Sequence, residues 1–266
     1  MGVSLSGGVA FGFAHIGVLK FFEETGIPVD AITGTSAGAI VGSLFAFGMP
    51  IDQIHREATQ LRWSDLSHMS PSKMGPISNK SLGDLMLRLI GEKNIEDALI
   101  PLAITATDIR TGEQIVLRSG PVSDAVRAST AIPGIFTPVV LGEHLLVDGG
   151  LSNNLPSAPL HHLQMDIKIG VDVIAHSAKY SDPTNYFAVL ANTYNIFIHR
   201  LNNQSRKGFD VLIDPEIKSM IMDISKAEQL IATGYHSAQG ARGRILELIA
   251  EKTKPSLWGK VIGRKK

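Results

Sequence analysis

Gly34-Thr35-Ser36-Ala37-Gly38 places a serine between two glycines, with apolar residues on either side. A serine hydroxyl is a weak nucleophile until a turn projects it and a base takes its proton. The G-x-S-x-G spacing suits such a turn when a strand enters it and a helix leaves it. Gly34 and Gly38 then let a substrate carbonyl and the neighbouring backbone come close. The start of that helix favours negative charge developing on the attacked oxygen. A base is available in Val147-Asp148-Gly149-Gly150-Leu151-Ser152-Asn153-Asn154-Leu155-Pro156. Asp148 falls at a predicted strand end, and the turn made by Gly149 and Gly150 can aim it at a neighbour. Standing alone, a turn aspartate would bond only its own backbone. A third segment, Ser6-Gly7-Gly8-Val9-Ala10-Phe11-Gly12, is a glycine loop between a strand and a helix. Its bare N–H groups can bind an anion.

Other chemistries fit these segments less well. A dinucleotide loop needs G-x-G-x-x-G and an acidic residue ending the second strand, whereas Val9 stands at the second glycine and that strand ends in Thr33-Gly34-Thr35-Ser36. A phosphate-binding Walker loop needs a Gly-Lys-Ser/Thr that is not there. Asp148 and His161 would complete the Ser, acid, His order of an α/β-hydrolase, but Ser36 follows the second strand of the chain, too early for the sheet on which that elbow sits. None of the nine histidines falls in a recognisable motif. With no cysteine there is neither a disulfide framework nor a thiolate metal site. The glycine loop is left as an oxyanion hole facing the serine.

The elements that must position these residues read as alternating strands and helices, an α/β pattern with a largely parallel sheet. Val3 to Leu5 enters the glycine loop, and Ala14 to Gly26 follows as a helix. Ala31 to Thr33 leads into the serine turn and the apolar helix from Ala37 to Gly48. Arg62 to Lys80 reads as a long loop or broken helix, of the kind that covers sites. Further elements are a helix over Ser81 to Ile90, strands over Leu102 to Asp108 and Gln114 to Leu117, and a helix over Ser123 to Ser129. A hairpin joins Val139 to Leu141 with His144 to Val147. Then come a strand from Ile167 to Val173, a helix from Tyr186 to Asn203, a strand at Val211 to Ile213, and a helix from about Ser225 to Glu251. Ala31 to Ile51 carries no charge and has roughly the length of a membrane-spanning helix, but its glycines and Pro50 divide it into strand, turn and buried helix.

The chain has 266 residues, 44% of them hydrophobic, which suffices for one sizeable core; residues 1–266 are expected to form one domain. Lys plus Arg and Asp plus Glu both number 25, so no overall field attracts nucleic acid. The start MGVSLSGG lacks the basic and apolar regions of a secretory signal, and the cytoplasm is the default expectation. The basic tail, residues 252–266, mixes Trp258 and Val261 with Lys252, Lys254, Lys260, Arg264, Lys265 and Lys266. It is a candidate for peripheral contact with an anionic lipid surface. Oligomeric state is not readable.

Together the glycine loop, the serine elbow and the later Asp-Gly-Gly resemble the patatin-like phospholipases. The likeness extends through Phe13-Ala14-His15-Ile16-Gly17-Val18-Leu19, Ala106-Thr107-Asp108, Thr111-Gly112-Glu113, Arg127-Ala128-Ser129, Ile132-Pro133-Gly134 and Pro138, covering about residues 1–173. The resemblance implies a three-layer α/β/α fold with a central, mostly parallel sheet. It also implies a Ser36–Asp148 dyad, oxyanion donors from Gly7, Gly8, Val9 and Ala10, supporting roles for Gly12, Gly34, Gly38, Gly149 and Gly150, and no metal or organic cofactor. The implied substrates are fatty acyl esters, phospholipids or lysophospholipids; the rival is a lipid-binding regulator of the same fold without efficient turnover. Two departures stand in the loop. The family's Gly-Gly-Gly-x-Arg-Gly is here Gly7-Gly8-Val9-Ala10-Phe11-Gly12. Val9 would take a positive φ only at a cost of about 1–2 kcal/mol. Phe11, in place of arginine, is expected to put an apolar ring at the site mouth and to disfavour charged head groups.

Overall fold

The structure is a computed structural model that describes residues 1–70, 72–176, 182–218 and 223–253. Strand β1 (Gly2–Leu5) runs into a single 3-10 turn, Val9–Gly12, and then helix α1 (Phe13–Thr25). Gly26 ends α1 in the left-handed conformation at φ 66, the residue type with no Cβ to oppose it. Strand β2 (Ala31–Thr35) and helix α2 (Ala37–Ala46) flank Ser36. The uncharged stretch from Ala31 is thus split between sheet and helix, and no helix among the described residues is long and apolar enough to cross a membrane.

Next come α3 (Ile51–Gln60), the short α4 (Trp63–Leu66), and a small ribbon of β3 (His68–Met69) with β4 (Ile77–Ser78). Helix α5 (Lys80–Ile90) leads to strands β5 (Leu102–Asp108) and β6 (Gln114–Leu117), then helix α6 (Val122–Ser129). The hairpin β7 (Val139–Leu141) and β8 (His144–Asp148) precedes the short helices α7 (Gly150–Asn153) and α8 (Ala158–His162). The chain continues through β9 (Lys168–Val171), α9 (Tyr186–Ser205), β10 (Val211–Ile213) and α10 (Ala227–Thr253). Of the basic tail, Lys252 and Thr253 close α10; the remainder lies outside the described residues.

The large sheet has the order β10-β9-β1-β2-β5-β8-β7, with β6 paired to β5. β10, β9, β1, β2 and β5 are mutually parallel, while β6 and β8 run antiparallel to β5. Alternation along β1 separates the two faces. Leu5 approaches Gly42 of α2, whereas Gly2 meets Leu160 of α8 and Ser4 donates to the Pro156 carbonyl. Helices therefore cover both faces, and β1 and β2 are buried at every residue. α10 lies against α1 with backbone close to backbone: a Cβ on Gly17 would collide with the Ile231 carbonyl, and one on Gly234 with the Ala14 carbonyl.

Phe11 departs from the expectation for a site mouth. It is 2% exposed and belongs to the main core, with its N–H donated to the Gly8 carbonyl. The 3-10 turn rolls the ring inward, into the core.

Candidate active site

β5 is the ruler that brings the two key side chains together. β2 pairs with it in parallel, Thr35 opposite Thr105, and β8 pairs antiparallel, Asp148 opposite Ala106. β6 already occupies the other edge from Ile104 to Thr107, so β2 and β8 must share one edge and meet head-on. The carboxyl ends of both strands thus converge, Ser36 leaving one and Asp148 ending the other. Gly149 carries the chain across the Thr105 carbonyl, against which a Cβ would clash.

Ser36 sits at φ 52, ψ −120, a conformation that non-glycine residues rarely adopt and that costs about 1–3 kcal/mol. Surrounding contacts fix it. Its N–H donates to Ser129 Oγ at 2.8 Å, and Ser129 Oγ–H donates in turn to the Thr105 carbonyl at 2.6 Å. Gly34, Gly38 and Gly12 are sites of close approach: added Cβ atoms would meet the Gly38 carbonyl, the Leu5 carbonyl and the Ala37 Cβ respectively.

Asp148 is 1% exposed, and burial pushes its carboxyl up to about 6. Three donors pull the other way: the Gly150 N–H, the Ser36 hydroxyl and the Tyr194 hydroxyl. The Gly150 bond to Oδ1 is 2.8 Å, whereas Oδ2 has no partner at full hydrogen-bond geometry among the described residues. Both hydroxyls therefore stand near the carboxyl without closing a full hydrogen bond on Oδ2. Tyr194, on α9, was not among the residues picked out from sequence. Its hydroxyl crowds Gly150, where any Cβ would collide with it, and burial followed by the Asp148 charge holds its pKa well above 10. Toward a carboxylate it can only donate.

The glycine loop is tied down from two sides. Asn154 grips Gly7, its Oδ1 accepting from Gly7 N–H at 3.1 Å and its Nδ2 donating to the Gly7 carbonyl at 3.3 Å. His15, fully buried, bonds the Ser6 carbonyl through Nε2 at 2.8 Å. Burial lowers its pKa to about 4, so the ring is neutral at physiological pH. The Gly7 N–H is thus already committed, while those of Gly8, Val9 and Ala10 have no hydrogen-bond partner among the described residues. Val9 does take the positive φ, at 50. His161 is exposed on α8 and hydrogen-bonds neither Ser36 nor Asp148. The second carboxylate at this end of β5, Asp108, is held down to about 2 by the Arg110 N–H and by His144 at 2.9 Å, a poor proton acceptor beside Asp148.

Ser36 opens onto an apolar cavity of about 130 Å³ between α2, α3 and α5. Val41, Leu44, Ala58, Leu61, Leu85 and Met86 are among its walls, with Val9 and Ala10 at the serine end. No group of three or more His, Cys, Asp or Glu among the described residues is placed to hold a metal.

The family model for patatin-like phospholipases matches residues 3–161, more than half of the chain. The chain belongs to that family. An uncharacterized NTE family protein of Mycobacterium tuberculosis is 35% identical over 173 residues, 64% of this patatin-like chain and 48% of that protein. Neuropathy target esterase sws of Drosophila melanogaster is 32% identical over 242 residues, covering 86% of this chain but 16% of its own length. The chain thus spans about half or less of these relatives. In fold, the patatin-like chain resembles the crystal structure of VipD from Legionella pneumophila, with TM-score 0.61, 15% identity, and coverage of 90% of this chain and 66% of that one.

Proposed function

We propose that this protein is a serine acyl hydrolase acting on fatty acyl esters of lipids through a Ser36–Asp148 dyad. The observation that carries the reading is the head-on meeting of β2 and β8, which sets a strained serine beside a buried carboxyl of pKa about 6 at the end of an apolar cavity. Family membership and the esterase named among the relatives support the same chemistry.

In this reading Ser36 Oγ attacks the ester carbonyl and its proton passes to Asp148. The oxygen, now negative, is met by the free N–H groups of Gly8, Val9 and Ala10; Gly7 instead fixes the loop through Asn154. Collapse of the tetrahedral intermediate expels the alcohol, which takes the proton from Asp148, and the acyl group stays on Ser36. Water then attacks the acyl-enzyme with Asp148 again accepting the proton, and on collapse the acyl–Oγ bond breaks, Ser36 takes the proton back from Asp148 and the acid departs. The apolar cavity receives the acyl chain. The test is a fluorophosphonate probe with intact-mass readout. We expect one adduct on Ser36, absent in Ser36→Ala and strongly slowed in Asp148→Asn. A folded wild-type protein that neither labels nor cleaves a p-nitrophenyl ester would leave an acyl-binding regulator as the surviving reading.

A further inference from the structure

A second recess, of about 460 Å³ and polar where the first is apolar, adjoins the acyl cavity. Asn79 belongs to both linings and is 2% exposed, with Nδ2 donating to the Arg127 carbonyl at 2.6 Å and to Thr130 Oγ1 at 3.1 Å. Helix α6 links the recess to the chemistry: Asp124 and Arg127 line it, and Ser129 at the end of the helix holds the Ser36 N–H. Thr130, next in the chain after Ser129, lines the apolar cavity and bonds Asn79, so the two linings meet one residue from the contact that holds Ser36.

The recess is built for an anion. Lys80 opens α5 with an exposed side chain and makes no ion pair among the described residues. Arg127 spends Nη1 on Asp124 at 2.8 Å, and its stem lies against Gly83, where a Cβ would collide with it. Two hydroxyls have uncommitted protons. Ser70 Oγ accepts from Ser72 N–H at 3.3 Å, Ser78 Oγ accepts from Lys80 N–H at 3.2 Å, and neither donates to any acceptor among the described residues. Two cations, one carboxylate and two free hydroxyl donors match the charge and the several acceptor oxygens of a phosphate. The size lies within the roughly 300–1,000 Å³ usual for small-molecule sites.

We propose that this recess is a phosphate subsite that reads the phosphoglycerol head of a phospholipid or lysophospholipid whose acyl chain occupies the apolar cavity, with Lys80, Ser70 and Ser78 as its donors. The proposal rests on the hydrolase reading above. It moves the reading of phosphate away from the glycine loop, where Phe11 is buried, to the polar recess on the other side of Asn79.

The experiment compares 1-oleoyl lysophosphatidate with 1-oleoylglycerol, esters sharing an acyl chain and differing in the phosphate. For Lys80→Gln, the ratio of kcat/KM between the two should fall about tenfold or more, mainly through KM, since a hydrogen bond to a charged group contributes at that level. Lys80→Arg should keep the ratio within about threefold. Exposure of Lys80 makes folding of these variants easy to confirm by thermal melt. Calorimetry of sn-glycerol 3-phosphate on Ser36→Ala protein, with and without Lys80→Gln, measures the recess without turnover. Binding that Lys80→Gln weakens upholds the subsite even if neither ester is cleaved, an outcome that would refute the hydrolase reading alone. An unchanged ratio, a parallel fall on both esters, or no calorimetric binding overturns the subsite. Inorganic phosphate binding as tightly as glycerol 3-phosphate would show that the recess takes free phosphate and reads no head group.

Discussion

Under the proposed dyad, the raised pKa of Asp148 makes both the activity and the stability of this protein depend on pH, in opposite directions. The shift from 3.8 to about 6 arises from burial, partly offset by Gly150, Ser36 and Tyr194. As a base, Asp148 must be ionised, so kcat/KM on an uncharged ester should be level above pH 7 and fall tenfold per pH unit below about 6. For stability the sign is reversed. The folded state holds this proton more tightly than the unfolded chain, so the contribution of Asp148 to stability is fully present below about 3.8 and is lost as pH rises through about 6. The loss approaches roughly 3 kcal/mol at 1.36 kcal/mol per unit. Asp148→Asn keeps an oxygen for the Gly150 N–H and loses the buried charge. It should therefore be inactive yet melt higher than wild type at pH 7.5, by several degrees at about 2–4 °C per kcal/mol, with the difference shrinking at pH 4.5. Tyr194→Phe removes one donor from the carboxylate and should move the acid limb to higher pH. The assays are a pH series with p-nitrophenyl butyrate and thermal melts of the two proteins at both pH values. An acid limb near pH 4, or an Asp148→Asn protein less stable than wild type at pH 7.5, would refute the reasoning.

Ala58→Phe adds a ring to the wall of the apolar cavity and should shift preference from long acyl chains to short ones, by tenfold or more in the ratio of C16 to C4 ester turnover. An unchanged chain-length profile would remove the acyl chain from that cavity. His15→Gln should lower kcat through the Ser6 carbonyl it supports while leaving the midpoint of the acid limb in place, because the neutral ring does not touch Asp148. Phe11→Arg would bury a guanidinium in the main core and should cost about 3 kcal/mol or more in a chemical denaturation curve. A stable Phe11→Arg protein with altered head-group preference would instead return position 11 to the site mouth.

What the sequence reveals follows how local the signal is. Strands such as β5, β6, β7 and β10 are bounded by turn residues and match their expected ends, and the serine elbow is readable because its geometry depends on five consecutive residues. β2 runs two residues further than expected, since Gly34 and Thr35 keep pairing with β5 where composition suggests a turn. α3 is hidden in the sequence, although Ile51, Ile54 and Ala58 are buried on one face behind Pro50, because Gly48 and Pro50 signal the end of one helix just where the next begins. The Arg62 to Lys80 segment reads as a long loop or broken helix, and the short α4 falls within it, whereas β3, β4 and the polar recess depend on contacts with α6 and β7 that no local pattern encodes. Tyr194 is the sharpest example. An aromatic on an amphipathic helix reads as packing, and only the return of α9 over α7 puts its hydroxyl beside Asp148. The buried Phe11 has the same origin: whether a loop ring faces inward is decided by the 3-10 turn it occupies.

Because Ser36 and Asp148 both leave strands paired to one edge of β5, their separation is set by the backbone ladder and by the start of α2, while α3 and α5, which complete the apolar cavity, carry neither residue. Under the proposed function, reaction and substrate choice are therefore largely separate parts of this molecule. The segment from Ile51 to Ile90 could be exchanged for that of a relative with another chain-length preference while the two reacting groups keep their places. If the proposed hydrolysis holds, a library confined to α3, α4 and α5 is the economical route to new ester substrates on this scaffold.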